Sequence, residues 1–223
     1  MARPMPPSRQ TDRMPDPPVR KRLTRQESQA RTRELLLEVA ATEFLAHGYS
    51  GTSLERVAEA AGFSKGAVYG NFAGKEELCL AVLENHFFGQ LQIFVADFAA
   101  GGDTIEDRLA VLERWWDILL ADDEWQLLAM EFAVQTRRNP KIQEQLAQRE
   151  KMVRTAVTAL LSQQIRQLGV TPVLPPDQLG IVLVAVVGGI AVQRLVDPSI
   201  PASLLTDAVR ALFRAPRPEG ESS

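Results

Sequence analysis

Thr52 to Phe72 reads TSLERVAEAAGFSKGAVYGNF, two short apolar stripes at helical spacing divided at Gly62. Leu54, Val57, Ala58 and Ala61 form the first stripe. Ser64 suits the N-cap of the second, which turns Ala67 and Val68 inward and ends near Gly70. Isolated helices shorter than about 12–15 residues are marginal in water, so neither segment can stand alone. The preceding stripe Leu35, Leu36, Val39, Ala40, Phe44 and Leu45, stopped by His47-Gly48, supplies the brace. Two short helices about a tight glycine turn form a helix-turn-helix. Phe44, Leu54, Val57, Ala58, Val68 and Phe72 are its expected core, and the second helix becomes a rigid probe sized for a major groove.

The outward residues suit that use. Thr52, three before Glu55, is placed for a capping box whose free amides can meet a phosphate. Ser64 and Lys65 open the probe helix, Gly66 admits close backbone approach, and Tyr69 offers a hydroxyl. Asn71 can bond a phosphate or a base edge, and Lys75 can clamp the backbone from outside. Arg56 reads equally as a contact or as an ordinary solvated charge.

The stretch from Gly48 to Leu83, which opens with GYSGTSLERVAEAAGFSKGAVYGNFAGKEEL, resembles the DNA-binding domain of the tetracycline-repressor (TetR) family of bacterial transcription regulators. Gly-Tyr precedes Thr-Ser, and Val-Ala, Ala-Gly-Phe-Ser-Lys-Gly, Tyr, Phe and Lys-Glu-Glu-Leu follow in that family's order. Gly70 and Asn71 depart from it, since family members usually carry an aromatic or histidine before the Phe; Gly70 is expected to loosen the end of the probe. The resemblance implies Thr52, Lys65, Gly66, Tyr69 and Lys75 as DNA contacts. It also implies a homodimer, a double-stranded operator and a small-molecule effector.

Outward from this motif, every segment reads as helix, and the fold class is all-α. Residues 1–24 hold Pro4, Pro6, Pro7, Pro15, Pro17 and Pro18 and read as a disordered basic arm; 216–223 read as a frayed tail. Residues 25–75 form the helix-turn-helix domain and 76–215 a larger helical effector-binding and dimerisation domain. Helices are expected at about 75–98, 104–121, 124–138, 140–168, 176–196 and 201–214, several of them started by proline. The Val-rich run Leu179–Val192 can pass for a buried strand, but its length favours helix.

Charge is unevenly spread. The chain carries a net −3, yet residues 1–33 hold nine basic groups against three acidic ones. An acidic body with a basic arm points to nucleic acid or an acidic surface; a solubilising tail is the alternative.

Beyond residue 84 the aromatic content concentrates. His86, Phe87, Trp115, Trp116, Met130, Glu131 and Gln135 are candidate linings of an effector pocket, which the resemblance places among the middle helices. Aromatic stripes at helical spacing are more often core. Near the end, Val184, Val187, Gly188 and Ala191, with Leu205 and Leu212, read as a two-fold helical interface, because a helix apolar all round must be buried on all sides; burial within one subunit is the alternative.

No enzyme class fits. The two histidines, His47 and His86, lie in no ligand-spaced cluster, so no metal or cofactor is expected. GFSKG lacks the strand that a nucleophile elbow needs. The single cysteine, Cys79, excludes an internal disulfide and reads as a small buried apolar group. No apolar signal region precedes Leu35, and no apolar run reaches the roughly 20 residues of a membrane span. A cytoplasmic protein is expected. A helical small-molecule binding or scaffolding protein whose helix-turn-helix only packs is the competing reading.

Overall fold

A computed structural model describes residues 24–102, 104–120, 123–169 and 171–214. The expected tail, and all of the expected arm except Thr24, lie outside them. Nine helices follow one another among the described residues: α1 Arg25–Gly51, α2 Leu54–Ala60, α3 Lys65–Tyr69, α4 Lys75–Ala100, α5 Ile105–Leu120, α6 Asp123–Thr136, α7 Pro140–Leu168, α8 Pro176–Val196 and α9 Ser203–Leu212. The all-α reading holds.

Local chemistry sets the ends. Thr24 starts α1 with a reciprocal box: its Oγ1 accepts from Glu27 N at 3.2 Å and its own N–H donates to Glu27 Oε2 at 2.7 Å. Arg25, Arg31 and Arg33, counted above with the basic segment of residues 1–33, therefore belong to a helix. Gly48, at φ +71°, breaks the helical path near the end of α1, as the His47-Gly48 stop suggested. Gly62 ends α2 at φ +69°. Gly62 N–H donates to Glu59 O and Phe63 N–H to Ala58 O, the paired bonds of a Schellman cap, and Phe63 packs down onto the core. Asn139 caps α7 by accepting from Ile142 N–H, with Pro140 in the first turn.

The expected helix at 201–214 stops at Leu212. Phe213–Arg214 instead pairs antiparallel with Thr171–Pro172, and Val173 N–H donates to Leu212 O at 3.0 Å. Strands of two residues leave no alternation to read. The Leu179–Val192 run lies wholly within α8.

The core divides at a place the sequence did not suggest. Phe44, Leu54, Val57, Ala58, Val68 and Phe72 join one cluster, as expected. That cluster continues through Leu78, Cys79, Leu80, Val82 and Leu83 of α4 to Leu128 and Phe132 of α6 and Ile142 of α7. The helix-turn-helix thus shares its core with the middle of the chain. A second cluster gathers the end of α4 (Phe98), α5, α8 and α9 about Trp115, Leu179 and Val209.

Candidate nucleic-acid interface

The probe is α3. Val68 is fully buried beneath it, while Ser64, Lys65, Gly66 and Tyr69 face out. Ser64 is its N-cap, accepting from Ala67 N–H at 3.2 Å. Lys65 Nζ lies 3.6 Å from Glu55 Oε1 of α2, with the two side chains 67% and 45% exposed. An ion pair this open contributes little, so a phosphate can take the lysine from its partner at small cost. Glu55 is held below its ordinary pKa by its own backbone amide first and by Lys65 second. Tyr69 is 52% exposed, its ring free to reach outward.

The residues around the probe are more committed. Asn71 Nδ2 donates to Ala67 O at 2.8 Å and Gly70 N–H donates to Gly66 O, which satisfies the last carbonyls of α3. Asn71 thereby ties down the end that Gly70 was expected to loosen. Arg33 braces the same corner, its guanidinium 4.2 Å above the Phe72 ring and Nη1 donating to Asn71 O at 2.9 Å. Assigning Arg33 to the basic arm concealed this contact, although the Thr24-x-x-Glu27 box was visible. Lys75, at the start of α4, holds Nζ 4.3 Å over the Tyr49 ring and 3.5 Å from Ser50 O. Arg56 bonds Glu43 and His47 on α1.

Thr52 is corrected. It is 2% exposed, and its hydroxyl lies 3.0 Å from both Glu43 O and Gly48 O, inside the bend of α1. The cap of α2 is Ser53, which accepts from Arg56 N–H at 3.2 Å. The expected Thr52–Glu55 box does not form.

The candidate pocket residues do not converge. His86 stacks on Trp125 with ring centres 3.8 Å apart, and Phe87 lies beneath Arg149 at 5.1 Å. Trp115 is buried, donating from Nε1 to Asp97 Oδ2 at 3.3 Å, and Trp116 bridges the second core to a third around Leu120, Ala191 and Leu205. Met130 and Gln135 sit on the exposed side of α6. Glu131 turns away from the middle helices altogether. It accepts from Tyr49 N–H (2.8 Å, Oε2) and Ser50 N–H (2.9 Å, Oε1). Partial burial acts to raise its pKa, but the bonds from Ser50 and Tyr49, with Lys75 nearby, outweigh it and hold the carboxyl below 4.5. The stabilisation it gives is present above the ordinary carboxylate value and is lost as pH falls through the lowered one. Burial drives the Cys79 thiol pKa upward, which leaves it an inert core group.

On the last helices, Ala191 and Leu205 are corrected as interface residues, since both are buried within the subunit. Val187 packs beside them and Leu212 against the second core; Val184 is half-buried. The open face of α8 runs instead through Ile181, Ala185, Gly188, Gly189, Val192 and Val196, the last 86% exposed. A groove of about 420 Å³ follows it, lined by Val182, Ala185, Val186, Gly189, Ile190 and Gln193. A Cβ added at Gly188 or Gly189 meets nothing within 4 Å.

Known proteins share both halves of this architecture. A family model described as "Bacterial regulatory proteins, tetR family" matches residues 36–82, and one described as "Tetracyclin repressor-like, C-terminal domain" matches 102–215. The HTH-type transcriptional repressor AcnR of Corynebacterium efficiens is 27% identical over 191 residues, 83% of this chain and 94% of its own. SmeT, the repressor of the Stenotrophomonas maltophilia multidrug efflux pump SmeDEF, is 26% identical with a TM-score of 0.60, covering 87% of this chain and 98% of its own. The reduced form of E. coli NemR has the same fold at 21% identity, with a TM-score of 0.68, covering 84% of this chain and 99% of its own. Matched from the brace of its helix-turn-helix to its last helix, the chain belongs to the TetR family of bacterial transcriptional regulators.

Proposed function

We propose that the protein is a cytoplasmic homodimeric repressor that binds a palindromic operator and is released by a small, largely apolar effector. The observation that carries this reading is α3: a five-residue helix held rigid by a fully buried Val68 while Ser64, Lys65, Gly66 and Tyr69 stand clear. Such a helix contributes little to packing for its cost in order, and it has the shape of a groove reader. Lys65 and Tyr69 take phosphates or a guanine edge, and Lys75 and Arg56 support them from the flank.

Two copies of α3 reach successive major-groove faces when the subunits pair through the open apolar face of α8. Burying that face against its own copy removes apolar surface that one subunit leaves in water. α4 and α8 are long and apolar enough by composition to cross a membrane. The near end of α4 instead lies in the shared core, and pairing accounts for α8. An effector site between α4, α5, α7 and α8 would have to open within the second core, where Phe94, Phe98, Trp115 and Leu183 pack together.

Salt-titrated binding to genomic DNA fragments tests the reading, with selective binding that weakens steeply as salt rises expected. Absence of sequence-selective binding at every salt concentration would leave the helix-turn-helix a packing element only.

A further inference from the structure

Three helices meet at two backbone amides. Gly48 turns the chain out of the helical path at φ +71°, and the next two N–H groups, Tyr49 and Ser50, point at the Glu131 carboxylate of α6. Any Cβ at Gly48 falls 2.8 Å from Glu131 Oε2, so this backbone is shaped around the carboxylate. The Tyr49 ring meets Phe132 of α6 in a T-shaped pair at 5.3 Å, and Lys75, the first residue of α4, holds its ammonium 4.3 Å over the same ring. Four residues after Tyr49 comes Ser53, the cap of α2. Whatever moves α6 therefore pulls on the segment from which α2 and α3 depart.

We propose that Glu131 is a positioning residue for DNA binding: its two-oxygen clamp on Tyr49 and Ser50 sets the angle of the helix-turn-helix against the effector domain, and passes movement of α6 to the probe. This rests on the reading of the protein as an effector-controlled DNA binder. The chemistry selects a carboxylate. Two converging N–H donors need two acceptor oxygens, and an ionised Glu supplies both. Gln supplies one and sets an NH₂ against the remaining donor. Asp keeps the charge but is a methylene too short to serve both.

The test is Glu131→Gln in the full chain, with Glu131→Asp as the second variant should the first not fold. Native-state hydrogen exchange at Tyr49 and Ser50 is expected to quicken at least tenfold, while exchange in α8 and α9 stays at the wild-type rate. Affinity for a genomic fragment selected by the wild-type protein is expected to fall about tenfold with the salt slope unchanged, since every phosphate-binding side chain stays in place. A purely structural role lowers the unfolding temperature but leaves affinity intact well below it; that outcome overturns the proposal. So does a reduced salt slope, which would put Glu131 in support of a phosphate contact. If the wild-type protein selects no fragment, the DNA-binding reading fails by itself, and unchanged exchange at Tyr49 and Ser50 separately overturns the clamp.

Discussion

Thr52 and Lys65 show how two residues nominated for the same task do different work. The Thr52 hydroxyl is sealed inside the bend of α1 against Glu43 O and Gly48 O, whereas Lys65 has only an open ion pair with Glu55. Thr52→Val removes the donor and leaves buried carbonyls short of a partner, so stability should fall by roughly 1–3 kcal/mol. The salt slope of DNA binding should not change. Lys65→Ala should do the reverse: unfolding within about 0.5 kcal/mol of wild type, and a salt slope lower by about one unit. Thermal melts with binding at several salt concentrations check both; a slope altered by Thr52→Val would return Thr52 to the DNA surface. Sequence could not separate these roles. Thr52 and Ser53 are adjacent, both of cap-forming type, and which one caps α2 depends on how α1 leaves Gly48, a matter of backbone path rather than residue type. Glu131 was hidden for a similar reason. Its partners are backbone amides 82 and 81 residues away, and such donors carry no sequence signature.

Elements were more legible, because their signals are local. Apolar spacing, prolines and glycines marked α5 to α8 to within about two residues, and Gly62 was recognised as the turn. Gly62 sits at φ +69° in open space, where an added Cβ meets nothing within 4 Å. Gly62→Ala therefore meets only backbone strain and should lose about 1–2 kcal/mol in chemical denaturation. Gly62→Asn should lose less, since Asn tolerates the left-handed region better. Equal stability of Gly62→Ala and wild type would mean the turn relaxes into another form. Where the elements were misread, a competing local cue was available or the cue was absent. The Thr24-x-x-Glu27 box announces the start of α1, but the apolar stripe that marks the brace begins only at Leu35, and Arg25, Arg31 and Arg33 count with the basic segment before it. The Thr171–Pro172 and Phe213–Arg214 pair is held by its ladder, and two residues cannot display a period.

At the scale of the whole molecule, the question is what one subunit leaves unfinished. The apolar face of α8 is one such feature. Gly188→Leu adds a side chain into space that is empty in the subunit, so the monomer should fold normally while pairing fails. Sedimentation should then find monomer, and operator affinity should collapse without the second half-site; a dimer of wild-type strength would move the interface off α8. The other unfinished feature is electrostatic. Between residues 34 and 85 only Arg56, Lys65 and Lys75 face eight acidic groups, and Arg33, which reaches the end of the probe, is engaged with Phe72 and Asn71, so the probe's own surroundings attract DNA poorly. Lys75 and Arg56 are further engaged with Tyr49, Glu43 and His47. Residues 1–23 carry Arg3, Arg9, Arg13, Arg20, Lys21 and Arg22 against Asp12 and Asp16, and they join the chain at the start of α1. A basic segment there can follow the phosphate backbone or enter the minor groove, as homeodomain arms do. The cut that tests this must stop before Thr24, because removing Thr24 takes the cap from α1 along with the charge. Deletion of residues 1–23 should leave unfolding and dimerisation unchanged while DNA affinity falls more than tenfold at low salt. The deficit should shrink as salt rises, since every phosphate that the shortened chain no longer neutralises also keeps its condensed counterions. Binding isotherms of both proteins across a salt series decide the matter: curves that coincide at low salt would make the segment a solubilising tail.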